Sequence, residues 1–262
     1  MVQSAMDGFH SCIFAYGQTG SGKTYTMQGP PEDPGVYTRA LHELFTVVDQ
    51  REQTHTYTMT VSMVEIYNET ICDLLCEEKM AKQQAKTRGK GKGLEIKMGP
   101  NGNEVVGATL LPVNTADDIH FIMERGQTNR STQSTKANEH SSRSHCLLLI
   151  YIEGLELQKN VKMTGKLVMV DLAGSERISK TDASGARLKE AQHINKSLSA
   201  LGNVINALKQ KNNHVPFRDS KLTYLLQDSL SKDNKALMIT QISPTEYDVE
   251  EVRRIFFYFF LN

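Results

Sequence analysis

The sequence predicts one α/β domain, in which short strands feed a glycine-rich loop and amphipathic helices cover the strands. Three stretches carry that expectation. The apolar run Ser11 to Tyr16 reads as a buried strand and leads directly into Gly17-Gln18-Thr19-Gly20-Ser21-Gly22-Lys23-Thr24, which fits the phosphate-loop pattern G-x-x-x-x-G-K-[ST]. Leu167 to Val170 is a second apolar strand, ending in Asp171 with Gly174 three residues on. Between Gln192 and Lys209, Ile194, Leu198, Leu201, Ile205 and Leu208 recur at a 4-3-4-3 spacing, the stripe of a long amphipathic helix. At 262 residues the chain can bury a substantial core in one domain.

The remaining elements follow in order. Val2 to Gly8 reads as the tail of a helix entering the first strand, and Gly29-Pro30-Pro31-Glu32-Asp33-Pro34-Gly35 is a turn-rich loop. Val36 to Val48 carries Leu41, Leu44, Phe45 and Val48 at helical spacing. Tyr57 to Tyr67 alternates and is rich in Thr, Val and Ile, so it predicts a strand, closed off by Asp73-Leu74-Leu75. Lys79 to Gly93 has six basic residues, no acid, three glycines and no apolar period, the composition of a disordered surface insertion. Leu94 to Val113 shows short strand signals broken by a hairpin-like turn at Gly99-Pro100-Asn101-Gly102. Ala116 to Gly126 predicts a helix, and Ser144 to Glu153 with Lys166 to Leu172 an antiparallel strand pair. His214 to Lys221 is a polar loop, Leu222 to Leu230 a helix and Ala236 to Ile242 a late strand.

Composition excludes several classes. Thirty basic residues balance thirty acidic ones, so no global field argues for nucleic acid, and a charged partner must meet a local patch. Cys12, Cys72, Cys76 and Cys146 form no C-x-x-C pair and read as free buried thiols of a reducing compartment. Met1 to His10 lacks the basic start and apolar core of a signal peptide. The apolar run Ile255 to Leu261 is too short to span a bilayer. A soluble protein, with no membrane insertion, is the expectation.

The residue types explain the chemistry expected. Glycines at 17, 20 and 22 let backbone N–H groups approach phosphate oxygens. Lys23 can reach the β- and γ-phosphates, the Thr24 hydroxyl can meet Mg²⁺, and the following helix start favours anions. Asp171 suits the same Mg²⁺ through water, and Gly174 can offer its N–H to a γ-phosphate. Asn138-Glu139-His140-Ser141-Ser142-Arg143-Ser144-His145 supplies hydroxyls for a hydrated cation or an attacking water. Arg143 suits a carboxylate across the site, with Glu176 the candidate. A small-GTPase-like switch would share the loop and the D-x-x-G but needs Asn-Lys-x-Asp. Here Asn195-Lys196 is followed by Ser197-Leu198.

Taken together, AYGQTGSGKTYTM at 15–27, NEHSSRSH at 138–145, DLAGSER at 171–177, HINKSLSALGNVINAL at 193–208 and HVPFRDSKLTYLLQDSL at 214–230 resemble the kinesin motor domain. The wording from Arg187 to Leu198 and of KLTYLLQDSL is most similar to the C-terminal-motor, minus-end-directed class. The resemblance implies a three-layer fold with a central, mostly β-sheet flanked by helices on both faces. It implies an ATP hydrolase acting with Mg²⁺ on microtubules, located at the cytoskeleton. Gly17 to Thr24 would cradle ATP, with Tyr25 near the adenine. Thr24, Ser142 and Asp171 would hold Mg²⁺, Ser141 would help place the lytic water, Gly174 would sense the γ-phosphate, and Arg143 would pair with Glu176 on closure. The long helix would carry that change to the track, with Lys196, His214, Arg218, Lys221 and the Leu94–Val113 region facing tubulin.

Against the family pattern, residues 1–251 are expected to be a partial motor domain, with an incomplete N-terminal strand and C-terminal helix. Residues 252–262 form a divergent apolar tail. The late strand is then expected at an unpaired sheet edge, with reduced stability and weak nucleotide affinity. The alternative expectation is a truncated microtubule-binding fragment with little or no ATPase. Any coiled coil for dimerisation would lie outside this chain.

Overall fold

The structure, a computed structural model, describes residues 1–77, 80, 93–99, 101–132, 140–176, 186–231, 233–245, 248–249 and 253. The basic 79–93 segment and the 252–262 tail therefore lie almost wholly outside the described residues. The central sheet runs in the order β3–β2–β7–β8–β1–β9. Its strands are β1 (His10–Tyr16), β2 (His55–Tyr67), β3 (Thr70–Asp73), β7 (His145–Glu156), β8 (Val161–Asp171) and β9 (Lys235–Thr240). β6 (Leu111–Pro112) adds to β2, and β4 (Glu95–Gly99) with β5 (Gly102–Val106) makes a separate hairpin. β1 lies parallel to β8 and to β9, whereas β2, β7 and β8 are antiparallel neighbours. Cys146 stands opposite Asp171 in the β7–β8 register, so the strand pair expected at Ser144–Glu153 and Lys166–Leu172 is the central hairpin.

Period-2 alternation sends side chains to two cores. Ile13, Ala15, Met59, Val61, Met63, Leu148, Ile150, Leu167 and Met169 face one cluster, covered by α1 (Val2–Met6), α3 (Val36–Gln50) and α4 (Ala116–Thr132). Cys12, Phe14, Val64, Ile66, Leu147, Leu149, Val168 and Val170 face the other. That face is covered by Leu198, Leu201 and Val204 of α5 (Ala186–Lys209) and by α6 (Lys221–Leu225) and α7 (Gln227–Leu230). Both faces are buried, giving the three-layer arrangement. All four cysteines are free and buried in these layers.

The β4–β5 hairpin is tied to the sheet by a buried polar cluster. Lys166 Nζ donates to Asn103 O at 2.7 Å and to Asp228 Oδ2 at 3.0 Å, and Asn103 Nδ2 donates to Tyr224 O at 2.5 Å. His10 Nδ1 stands 3.2 Å from the same carboxylate oxygen. Burial raises the Asp228 pKa, but His10 and Lys166 outweigh it and hold the group below the usual carboxylate value.

Some elements differ from expectation. The predicted helix Leu222–Leu230 is two short helices broken at Leu226, and the first starts at a capping box between Ser220 and Thr223. α4 runs past Gly126 to Thr132. β9 pairs with β1 and, among the described residues, has no second neighbour, the edge expected for the late strand. No helix among the described residues is long and apolar enough to cross a membrane.

Candidate active site

β1 delivers the phosphate loop at its C-terminal end, and the parallel β8 delivers Asp171 beside it. Ligand crevices of open α/β sheets form at such strand ends. Gly20 and Gly22 have φ of 80° and 96°, and a Cβ at either would meet nothing within 4 Å. Their requirement is therefore conformational, and the space they border stays open for a ligand. Lys23 opens α2 (Lys23–Met27), is buried, and donates from Nζ to Gln18 O at 2.7 Å. Burial pulls its pKa below the usual ammonium value, against the opposing pull of Asp171 and Glu176.

The Thr24 hydroxyl donates to Asp171 Oδ2 at 2.8 Å, so the two expected cation partners meet. Asp171 Oδ1 is buried and has no hydrogen-bond partner. Such an atom fits a hard cation or its water shell, which takes oxygen ligands. Among the described residues no group of three His, Cys, Asp or Glu could hold a metal by itself.

The loop after Asp171 touches both other segments. Gly174 N–H donates to Ser142 O at 2.8 Å, and Ser175 N–H to Gly17 O at 3.1 Å. The Glu176 carboxylate accepts from Thr19 N–H at 2.9 Å and from Thr19 Oγ1 at 2.5 Å. A Cβ on Gly174 would collide with that carboxylate and with Thr19 Oγ1, so a side chain here would displace Glu176 from the phosphate loop. Ser142 and Arg143 lie in the 3-10 turn His140–Arg143, partly buried at the mouth of β7. Ser141 belongs to the same turn, but its side chain lies outside the described ones. Tyr25 is 61% exposed and its hydroxyl lies 3.3 Å from Asp33 Oδ2. Lys196 on α5, His214 and Arg218 are exposed, and Lys221 is half-buried. The Arg218 guanidinium sits 5.6 Å from the Tyr224 ring centroid, and Lys221 N–H donates to Glu69 Oε2 at 2.8 Å.

Residues outside the expected set complete the floor of the site. Arg130 of α4 is buried, with Nη1 at 3.6 Å from Asp171 Oδ2 and Nε at 3.5 Å from Glu65 Oε1. Ser144 Oγ donates to the same Glu65 oxygen at 2.5 Å. Glu65 is a carboxylate at the buried end of an apolar strand, which by itself demands a partner. That was the available signal. Arg130 gave none, because it lies beyond the expected end of its helix.

A phosphate loop on β1, a D-x-x-G carboxylate on the adjacent parallel strand and helices on both sheet faces define a phosphate-loop α/β nucleotide-binding fold. The kinesin motor domain family matches residues 1–258, and the chain belongs to that family. It is 49% identical over 252 residues to kinesin-like protein KIN-14E of Oryza sativa subsp. japonica, covering 96% of this chain and 22% of that protein. The same identity and coverage hold for kinesin-like protein KIN-14R of Arabidopsis thaliana. Among solved structures, the motor domain of Kar3, a Saccharomyces cerevisiae kinesin-related protein, aligns with TM-score 0.82 at 38% identity, covering 98% of this chain and 75% of that one. The C-terminal motor and motor homology domain of Kar3Vik1 fused to a synthetic heterodimeric coiled coil gives 0.83 at 38%, covering 98% and 64%. The class resemblance read from Arg187 to Leu198 agrees with these relatives. The chain spans about a quarter of the length of the curated relatives it matches.

Proposed function

We propose that this chain binds ATP with Mg²⁺ in the phosphate loop, hydrolyses it, and couples the cycle to microtubule binding and movement. The observation that carries the reading is the Thr24–Asp171 hydrogen bond beneath the loop, beside the unpartnered Asp171 Oδ1. Gly17 to Lys23 supply the phosphate cradle, and Tyr25, exposed at the start of α2, offers a ring toward the base. Thr24, Ser142 and Asp171 would hold Mg²⁺, which when bound neutralises charge on the β- and γ-phosphates. Ser141 would help place the water, and Arg143 and Glu176 would close over it. Gly174 N–H, now on Ser142 O, would exchange that partner for a phosphate oxygen, an order–disorder type of switch.

Lys196, His214, Arg218 and Lys221 form the proposed tubulin contacts, where local positive charge meets an acidic surface and gives salt-sensitive binding. We read residues 1–251 as the motor unit, with 79–93 as a basic surface insertion and 252–262 as an apolar tail. Dimerisation through a coiled coil outside this chain, as in the Kar3Vik1 fusion, and localisation on microtubules complete the reading. Microtubule co-sedimentation tests the coupling. The bound fraction should differ between a non-hydrolysable ATP analogue and ADP, and should fall with added salt. Binding indifferent to nucleotide would favour a microtubule-binding fragment instead.

A further inference from the structure

His145 opens β7, three residues after Ser142, and is 3% exposed. None of the roles above uses it, yet its ring bridges two segments that move in the proposed cycle. Ala173 N–H donates to His145 Nδ1 at 3.0 Å, which makes Nδ1 the acceptor and leaves the ring proton on Nε2. His145 Nε2 lies 2.7 Å from Ser197 Oγ and donates to it, and Ser197 Oγ donates to Ile194 O at 2.8 Å. Each donor and acceptor is used once and in one sense, so the network dictates the tautomer. Burial, with Arg130 and Lys23 nearby, pushes the His145 pKa down to about 3. The ring is therefore neutral, as the Nδ1 acceptor requires.

Two successive amides of the 171–176 loop are held by different neighbours. Ala173 N–H is held by His145 and Gly174 N–H by Ser142 O. A turn of the Gly174 amide toward phosphate breaks its bond to Ser142 but leaves the Ala173 amide on the ring, and the planar peptide between the two residues passes the rotation on. The imidazole is a rigid body whose far nitrogen grips Ser197, 2% exposed within α5.

We propose that His145 is a positioning residue that couples the 171–176 loop to helix α5, transmitting the state of the nucleotide site through Ser197. The proposal rests on reading that loop as the nucleotide sensor. Lys196, the adjacent residue on α5, is exposed, so a shift at Ser197 reaches the proposed track face directly.

Hydrogen exchange of α5 amides, measured with ADP and with a non-hydrolysable ATP analogue, tests this. In the native chain the exchange should change with nucleotide. Ser197→Ala should cut that change roughly three- to tenfold, the weight of one intramolecular hydrogen bond, with nucleotide still bound by the variant. His145→Asn keeps an acceptor near Nδ1 but cannot reach Ser197, so it should give the same loss, and the double variant no further loss. Ser197→Thr, which restores a hydroxyl, should recover the response. A Ser197→Ala chain whose α5 still responds fully would overturn the relay while leaving the nucleotide reading intact. A native chain that binds no nucleotide would overturn both.

Discussion

The Glu176 carboxylate lies on the phosphate loop, bonded to both the N–H and the hydroxyl of Thr19 at 2.9 and 2.5 Å. A carboxylate on a loop built to hold phosphate competes with the ligand for donors and for Lys23. Hydrogen bonds to a charged group contribute about 1.5–3 kcal/mol each, so the competition is measurable. Glu176→Ala should therefore bind a non-hydrolysable ATP analogue about tenfold more tightly while hydrolysing ATP more slowly. Titration calorimetry gives the affinity, and weaker binding by the variant would contradict the competition.

The Thr24–Asp171 pair should decide the magnesium dependence. Asp171→Asn keeps the shape of the site but loses the charge facing the cation. ATP-analogue affinity of the native chain should rise on replacing EDTA with Mg²⁺, and that gain should shrink at least tenfold in the variant, about 1.4 kcal/mol. An undiminished magnesium effect would remove Asp171 from the cation site.

Arg130 stands between Glu65 and Asp171, and both carboxylates are buried. Arg130→Met would leave two buried carboxylates without their guanidinium, a change that typically costs about 3–5 kcal/mol. A fall in melting temperature of about 10 °C is expected for a domain of this size. A shift of only one or two degrees would show that the buried charges are compensated elsewhere.

His145 should make the fold acid-sensitive. Its folded pKa is depressed to about 3 by burial and by Arg130 and Lys23, whereas an unfolded histidine titrates near 6.5. Above that value neither state is protonated and the full stability is present. As pH falls toward 3 only the unfolded state takes up the proton, so stability drops by about 1.4 kcal/mol per pH unit. Between pH 7 and pH 5 the native chain should lose about 2 kcal/mol more than His145→Gln in urea unfolding. Parallel losses would contradict a neutral buried ring.

Much of this was legible in the residues. The apolar runs Leu167–Val170 and Ser144–Glu153 read as strands, and their two sides fill two different cores. The spacing from Ile194 to Leu208 gave the helix that covers one of them. Gly126, by contrast, reads as a helix end but lies inside α4, where a Cβ would collide with the Met63 sulfur. Tertiary packing thus chose the glycine, and the polar turn beyond it is helical because Asn129 and Arg130 find buried partners. The break at Leu226 was hidden because Leu222, Leu225, Leu226 and Leu230 all stay buried on either side of it. The His145–Ser197 contact joins residues 52 apart in sequence, and no local pattern reports such a pair.

Steady-state ATP turnover, with and without microtubules and beside a Lys23→Ala control, decides whether the phosphate loop drives a motor cycle. Turnover should rise with microtubules and disappear when Lys23 is removed from the phosphate loop. Microtubule binding without turnover, or turnover that survives Lys23→Ala, would contradict it.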